Sequence, residues 1–152
     1  MNEKEKRDLL KAEYLHLQST IENFDNKALT IKAWSVTFGF TAFGVAFSSK
    51  APSIFLIASL GSFIFWILEA SWKTFQYAHY RRSREIESYF SGQRGKLMPL
   101  QIGSSWSDSY NEGGFNRLFF IMKWHHVILP HIIVTIIGII LYLSTLFQVI
   151  EL

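Results

Sequence analysis

The chain has 152 residues, 49% of them hydrophobic and 16% aromatic, with a mean hydropathy of +0.17. Fifteen Lys and Arg against 12 Asp and Glu leave a net charge of +3, and there is no cysteine. That length bounds a single domain, and the cysteine count excludes a disulfide framework, a thiolate metal site and a cysteine nucleophile.

The first thirty residues are charged and helix-forming. Leu10, Tyr14, Leu17, Ile21, Phe24, Ala28 and Ile31 recur at alternating steps of four and three, an a/d seam on one helix face. Lys11, Glu13, Gln18, Glu22, Asp25 and Lys27 fill much of the rest. The pattern predicts a cytoplasmic amphipathic helix over 3–32. The seam packs within the chain or forms an intersubunit contact. A secretory signal has a short basic start, a short apolar run and a small-residue cleavage site. None of these opens this chain, so the N-terminus is expected to be retained. No Gly or Pro interrupts the run before Gly39, so the helix is expected to continue into a first span over 33–49. From Glu3 to Ser49 such a helix measures roughly 70 Å.

The segment Ser48-Ser49-Lys50-Ala51-Pro52-Ser53 reads as a turn, because proline stops one helix and starts the next. A second span is expected over 53–72 and a second cytoplasmic helix over 73–90. So tight a turn makes antiparallel neighbours of the two. Residues 91–116 carry Gly92, Gly95, Gly103, Gly113 and Gly114 among Ser, Asn and Asp, and read as loop, with Trp106 and Tyr110 as buried anchors or interface contacts. A loop of that length is usually functional or mobile. An apolar helix then resumes and becomes a third span at about 119–150, with Pro130 near its start. About 20 apolar residues cross the roughly 30 Å of bilayer hydrocarbon. The fold class expected is all-α: an integral membrane protein with three transmembrane helices and a long cytoplasmic helical hairpin, in one membrane domain over 1–152.

Fourteen of the 15 Lys and Arg fall on one side of these spans, Lys50 being the exception. Positive residues accumulate on the cytoplasmic side. The expected location is therefore the bacterial inner membrane, with the N-terminus and the 73–123 segment inside. The Lys50–Pro52 turn and Glu151–Leu152 are then outside. Trp34, Trp72 and Trp124 each fall at the cytoplasmic end of a span, where indole rings prefer the headgroups.

Several side chains invite a role. Glu69 near the inner end of the second span is costly in lipid, and either pairs with Lys32 or Lys73 or lines a gate. With His131 and Gly39 it makes the set of pore or gating candidates. Arg81, Arg82 and Arg84 follow Tyr77 and Tyr80, a patch suited to lipid headgroups or to another anionic ligand such as a nucleotide phosphate. Ser35 and Gly39, Ala42 and Ala46, and Ala58 and Ser62 are each four apart, and small residues at that spacing bring helices close in lipid. His16 and His79 fall where two helices could face each other; His125 and His126 sit at the start of the third span. No Cys or carboxylate completes a metal set around them, so no metal and no cofactor are expected. No phosphate-binding glycine loop, metalloprotease helix or supported serine–histidine pair is present, so no enzyme and no catalytic residue is expected.

The runs Tyr14–Gln18, Ile21–Asp25, Ala28–Thr37 and Phe65–Gln76 resemble a group of small bacterial membrane proteins. The layout is also similar to the SLATT type of bacterial conflict-system effector, in which a cytoplasmic helix precedes a transmembrane hairpin. This chain departs from that type in its third span. The resemblance implies an oligomeric pore-forming or membrane-disrupting effector in bacterial phage defence, triggered by a cytoplasmic protein or a nucleotide. The other reading is a membrane anchor or adaptor that recruits a cytoplasmic partner. The partners expected are the lipid bilayer and further copies of the chain, with no nucleic acid.

Overall fold

A computed structural model describes residues 1–93 and 95–150. These form four helices and no strand: α1 (Glu3–Ser49), α2 (Ser53–Phe90), α3 (Ile102–Met122) and α4 (His125–Leu146). Three of them, α1, α2 and α4, are long and apolar enough to cross a membrane. Arg94 and the terminal Glu151–Leu152, which enter the charge count and the expected outer end, lie outside the described residues.

α1 runs unbroken through its first forty-odd residues, as the absence of an early Gly or Pro predicts. Lys50 then adopts a left-handed φ of 53°, and Pro52 opens the next helix. The chain divides into two compact units where one domain was expected. The first comprises Met1–Lys27 and Trp72–Leu118; the second comprises Ala28–Ser71 and Phe119–Leu152.

The first unit is built on the polar halves of α1 and α2. Leu10 and Leu17 of the seam are fully buried against Ile86 and Leu97, with Tyr14, Tyr89 and Ile102 packed around them. Ile21 is buried and Phe24 half-buried, its ring tilted against that of Trp72 with centroids 5.2 Å apart. Glu13 lies between Leu10 and Leu17 on the same stripe, and its carboxylate is enclosed. It accepts from Arg82 Nε at 2.8 Å, and from the backbone N–H of Leu100 and of Gln101 at 2.8 and 3.3 Å. Those amides lie just before α3, where helix N–H groups lack internal partners. Leu100 holds a left-handed φ of 63° there.

Here the structure corrects the expected loop. Residues 102–116 are helical, in α3, although Gly114 breaks it with φ 47° and ψ −151°. Ile102, Ser105, Trp106, Ser109, Tyr110 and Gly113 fall at helical spacing and form its less exposed face. Small polar residues gave that stripe a loop-like composition. Trp106 is anchored as expected: its indole N–H donates to the Phe75 carbonyl at 3.1 Å, and its ring stacks on Tyr110 at 5.1 Å. The expected third span is also shorter than 119–150. Phe119–Met122 belong to α3, the chain turns at Lys123–Trp124, and α4 starts at His125 and ends at Leu146. The helix continues across Pro130.

The second unit packs the apolar halves of α1 and α2 with α4. Phe43, Ala46, Phe55, Ala58 and Val134 form its apolar core. Small residues set the spacing, as expected. A Cβ on Gly138 would stand 2.2 Å from Ser59 Oγ and 2.8 Å from the Phe55 carbonyl oxygen; one on Gly39 would meet Val134 Cγ1 at 2.3 Å. The outward side chains are large and apolar: Phe40, Leu60, Ile64 and Ile140 are each more than half exposed. Inside lie Ser35, Ser59, Ser62, Glu69 and His131. This inverts the arrangement of a water-soluble domain, in which exposed apolar patches of such extent are rare.

Candidate functional site

The polar interior of the second unit is continuous. Glu69 sits on α2, two turns beyond Ser62, so the two side chains share one face of the helix. Ser35 is one turn beyond Ile31 on the buried stripe of α1, and Lys32 projects beside it. His131 is one turn beyond Val127 on the buried face of α4. Each helix thus offers its polar group from the stripe that also carries its packing residues.

Lys32 Nζ lies 2.9 Å from Glu69 Oε1, an ion pair whose angles fall outside those of a hydrogen bond. Glu69 Oε2 lies 2.9 Å from His131 Nε2. His131 Nδ1 lies 2.8 Å from Ser35 Oγ, which is 3.1 Å from Ser62 Oγ. Ser62 Oγ donates to the His131 carbonyl at 3.0 Å. One turn further along, Ser59 Oγ reaches the Phe55 and Thr135 carbonyls at 3.0 and 3.1 Å. The Glu69 and His131 side chains have no solvent exposure, and that of Lys32 has 20%.

Removing a carboxylate and an imidazole from water is expensive unless each polar atom finds a partner. Here both carboxylate oxygens and both ring nitrogens meet a polar neighbour, so the cluster is close to fully satisfied. Such an arrangement can hold a charge inside an apolar bundle and pass a proton between Glu69 and the imidazole. The fourfold set of Lys, Glu, His and Ser resembles no thiolate or multi-carboxylate metal set, and no group of three His, Asp or Glu among the described residues could hold a metal ion.

The other residues singled out from the sequence are distributed as follows. Of the two lysines that could have paired with Glu69, Lys32 does so; Lys73 pairs with Asp25 and donates to Gln76 Oε1 in the first unit. Gly39 packs on Val134 beside the polar chain, in a helix contact. Ala28 and Ile31 of the seam are buried in this unit. The three arginines do not converge on a common ligand position. Arg81 pairs with Glu112 at 2.6 Å, Arg82 is buried on Glu13, and Arg84 donates to the Tyr80 carbonyl. Burial works against the Arg82 charge, but Glu13 and then Glu85 more than compensate, and its pKa stands above the usual guanidinium value. Trp34 is exposed; Trp124 is half-buried at the start of α4; Trp72 packs on Phe24 with the Lys27 ammonium 5.2 Å from its ring. His125 and His126 are exposed. His79 packs between Phe24 and Trp106 in the first unit.

Ser35 and Ser62 have the spacing of small packing residues, and in the structure their hydroxyls also bridge the helices. The available signal was that each lies on the stripe of a seam, where a serine hydroxyl must find a partner. Glu13 was likewise visible as a charge at a seam position. No protein-family model matches the chain, and neither a curated protein nor a solved structure matches it.

Proposed function

We infer that the protein is a membrane effector that assembles as a homo-oligomer and permeabilises the bilayer, in the manner of the bacterial conflict-system proteins its layout resembles. The observation that carries this reading is the fully buried Glu69–His131 pair inside a bundle whose outer face is apolar. A passive anchor has no use for ionisable groups in lipid, where a charged side chain costs about 2.5–3.5 kcal/mol at the helix centre and less near the interface. A protein that changes state in the membrane does, because such a pair can be rearranged or lined up along a path. Three helices are too few to enclose that path, so copies of the chain must supply its walls. The positive-inside distribution supports an inner-membrane location with the N-terminus in the cytoplasm. That side exposes the first unit to a protein or nucleotide trigger.

Ion leak from liposomes carrying the purified protein tests this reading. Leak that Glu69→Gln alters is the expected result. A barrier that stays intact with wild-type protein, at every pH and with every candidate trigger, overturns it.

A second reading, a membrane anchor for a cytoplasmic partner, draws on the first unit. There α3 is held by a buried carboxylate and a stacked Trp106–Tyr110 pair, a degree of order that a mere tether does not need. It predicts a stoichiometric partner in a pull-down and full function after the spans are replaced by unrelated ones.

A further inference from the structure

The polar chain in the second unit can be counted proton by proton. A carbonyl oxygen only accepts, and a serine hydroxyl has one proton to give. Ser62 gives its proton to the His131 carbonyl at 3.0 Å. The 3.1 Å contact between Ser62 and Ser35 therefore draws its proton from Ser35. Ser35 then has none left for the imidazole, so the 2.8 Å contact at Nδ1 takes its proton from the ring. On the far side of the ring, the 2.9 Å contact between Nε2 and Glu69 Oε2 needs a proton of its own, on one atom or the other.

We propose that Glu69 and His131 form a proton-binding site, holding in common one proton more than a carboxylate and a neutral imidazole would carry. Two forms satisfy every contact. In one, an imidazolium faces the Glu69 carboxylate. In the other, an imidazole protonated at Nδ1 accepts from the Glu69 carboxylic acid. Lys32 serves both, because the Oε1 it approaches at 2.9 Å bears no proton in either. The ionisable groups of the chain of contacts are thus Lys32 from α1, Glu69 from α2 and His131 from α4; α1 and α2 otherwise contribute the hydroxyls of Ser35 and Ser62.

The arrangement left out is an imidazole protonated at Nε2 alone, facing a carboxylate. Nδ1 would then require the proton of Ser35. Ser62 would then have one proton for two contacts, and either its 3.1 Å contact with Ser35 or its 3.0 Å contact with the His131 carbonyl would be left without one. Loss of the shared proton therefore costs Ser62 one of its two contacts, to Ser35 of α1 or to the His131 carbonyl of α4. The site couples the protonation of His131 and Glu69 to the contacts by which Ser62 ties α2 to α1 and α4, which gives a proton a mechanical consequence inside the bundle.

This deepens the functional reading above without needing it, since the proton count rests on the contacts alone. The test is solid-state NMR of the full chain, labelled uniformly with ¹⁵N and ¹³C and reconstituted in bilayers at pH 7. His131 is assigned through its backbone correlations, so no substitution that could unfold the protein is required. The expected result is a protonated Nδ1, with a further proton on Nε2 or, by the acid shift of its carboxyl carbon, on Glu69; a bare Nε2 beside a Glu69 carboxylate overturns the proposal. A ring with bare Nδ1 and protonated Nε2 overturns the proposal. The two readings fail separately: leak with the Nε2-protonated ring would sink the proton site alone, and a tight barrier with the Nδ1-protonated ring would sink the permeabilising function alone.

Discussion

Glu13 and Arg82 face each other across α1 and α2 as a fork, Nε to Oε1 at 2.8 Å and Nη2 to Oε2 at 3.1 Å, with both side chains almost fully enclosed. The same two residues hold the segment before α3: Arg82 Nη2 donates to the Met98 carbonyl at 2.6 Å, and Glu13 accepts from Leu100 and Gln101. A buried pair of this kind contributes little against apolar residues of equal shape, but removing one partner strands the other. Glu13→Ala should cost about 3–5 kcal/mol in the first unit. Hydrogen exchange over residues 97–110 is the measurement. Protection there that survives the substitution would show that α3 docks without the fork.

His79 sets a pH dependence in the same unit. Burial holds its pKa below the ordinary histidine value of 6.5, and the nearby charge of His16 adds to that. The unfolded chain therefore binds the proton more readily than the folded one. The contribution of His79 is fully present above the unfolded pKa and declines as the pH falls from about 6.5 towards the folded value. Unfolding of the first unit, followed by tryptophan fluorescence, should become easier between pH 7.5 and pH 5. His79→Leu should flatten that slope. An unchanged slope in the variant would assign it to other groups.

Gly138 separates α2 from α4 by less than a methyl group allows, and one of the atoms a Cβ would strike is the backbone oxygen of Phe55, at 2.8 Å. Gly138→Ala must therefore shift a helix and should destabilise the second unit by about 1–3 kcal/mol. Gly44 is the control: no atom lies within 4 Å of its added Cβ, and Ala there should be neutral or slightly stabilising. Thermal unfolding of the two variants in detergent, run side by side, gives the comparison. Equal midpoints would remove the close contact as a source of stability.

Gly114 lies in a region of backbone space open essentially only to glycine, with φ 47° and ψ −151°, and its Cβ position is otherwise free of neighbours. The cost of Gly114→Ala is thus conformational, of order 1–3 kcal/mol. The substitution should straighten α3 or loosen it, seen as a change in exchange protection on both sides of residue 114. The nearest atoms a Cβ on Gly113 would meet are those of the Arg117 guanidinium, a side-chain end that can move, so Gly113→Ala should be milder. The reverse order of the two variants would place the break elsewhere.

What the sequence determined by itself is whatever depends on neighbours along one helix. The seam from Leu10 to Ile31, the stop at Pro52 and the long apolar blocks all follow from local periodicity and local backbone restriction; α1 and α2 appear where these place them, and α4 lies within the third block but is shorter than it. The helix over 102–113 escaped because its buried face is made of Ser and Gly as well as Trp and Tyr, so its period was not carried by hydrophobicity. Partner choice was decided only by tertiary structure. Lys73 stands one helical turn from Glu69 along the chain and Lys32 lies on another helix, yet the packing of α1 on α2 gives Glu69 to Lys32 and Asp25 to Lys73. His131 lies 62 residues from Glu69 and 96 from Ser35, and meets both because three buried stripes converge on one level of the bundle. A charge in a helix declares its cost from sequence alone; which group offsets that cost depends on the register between helices, and no local pattern encodes it.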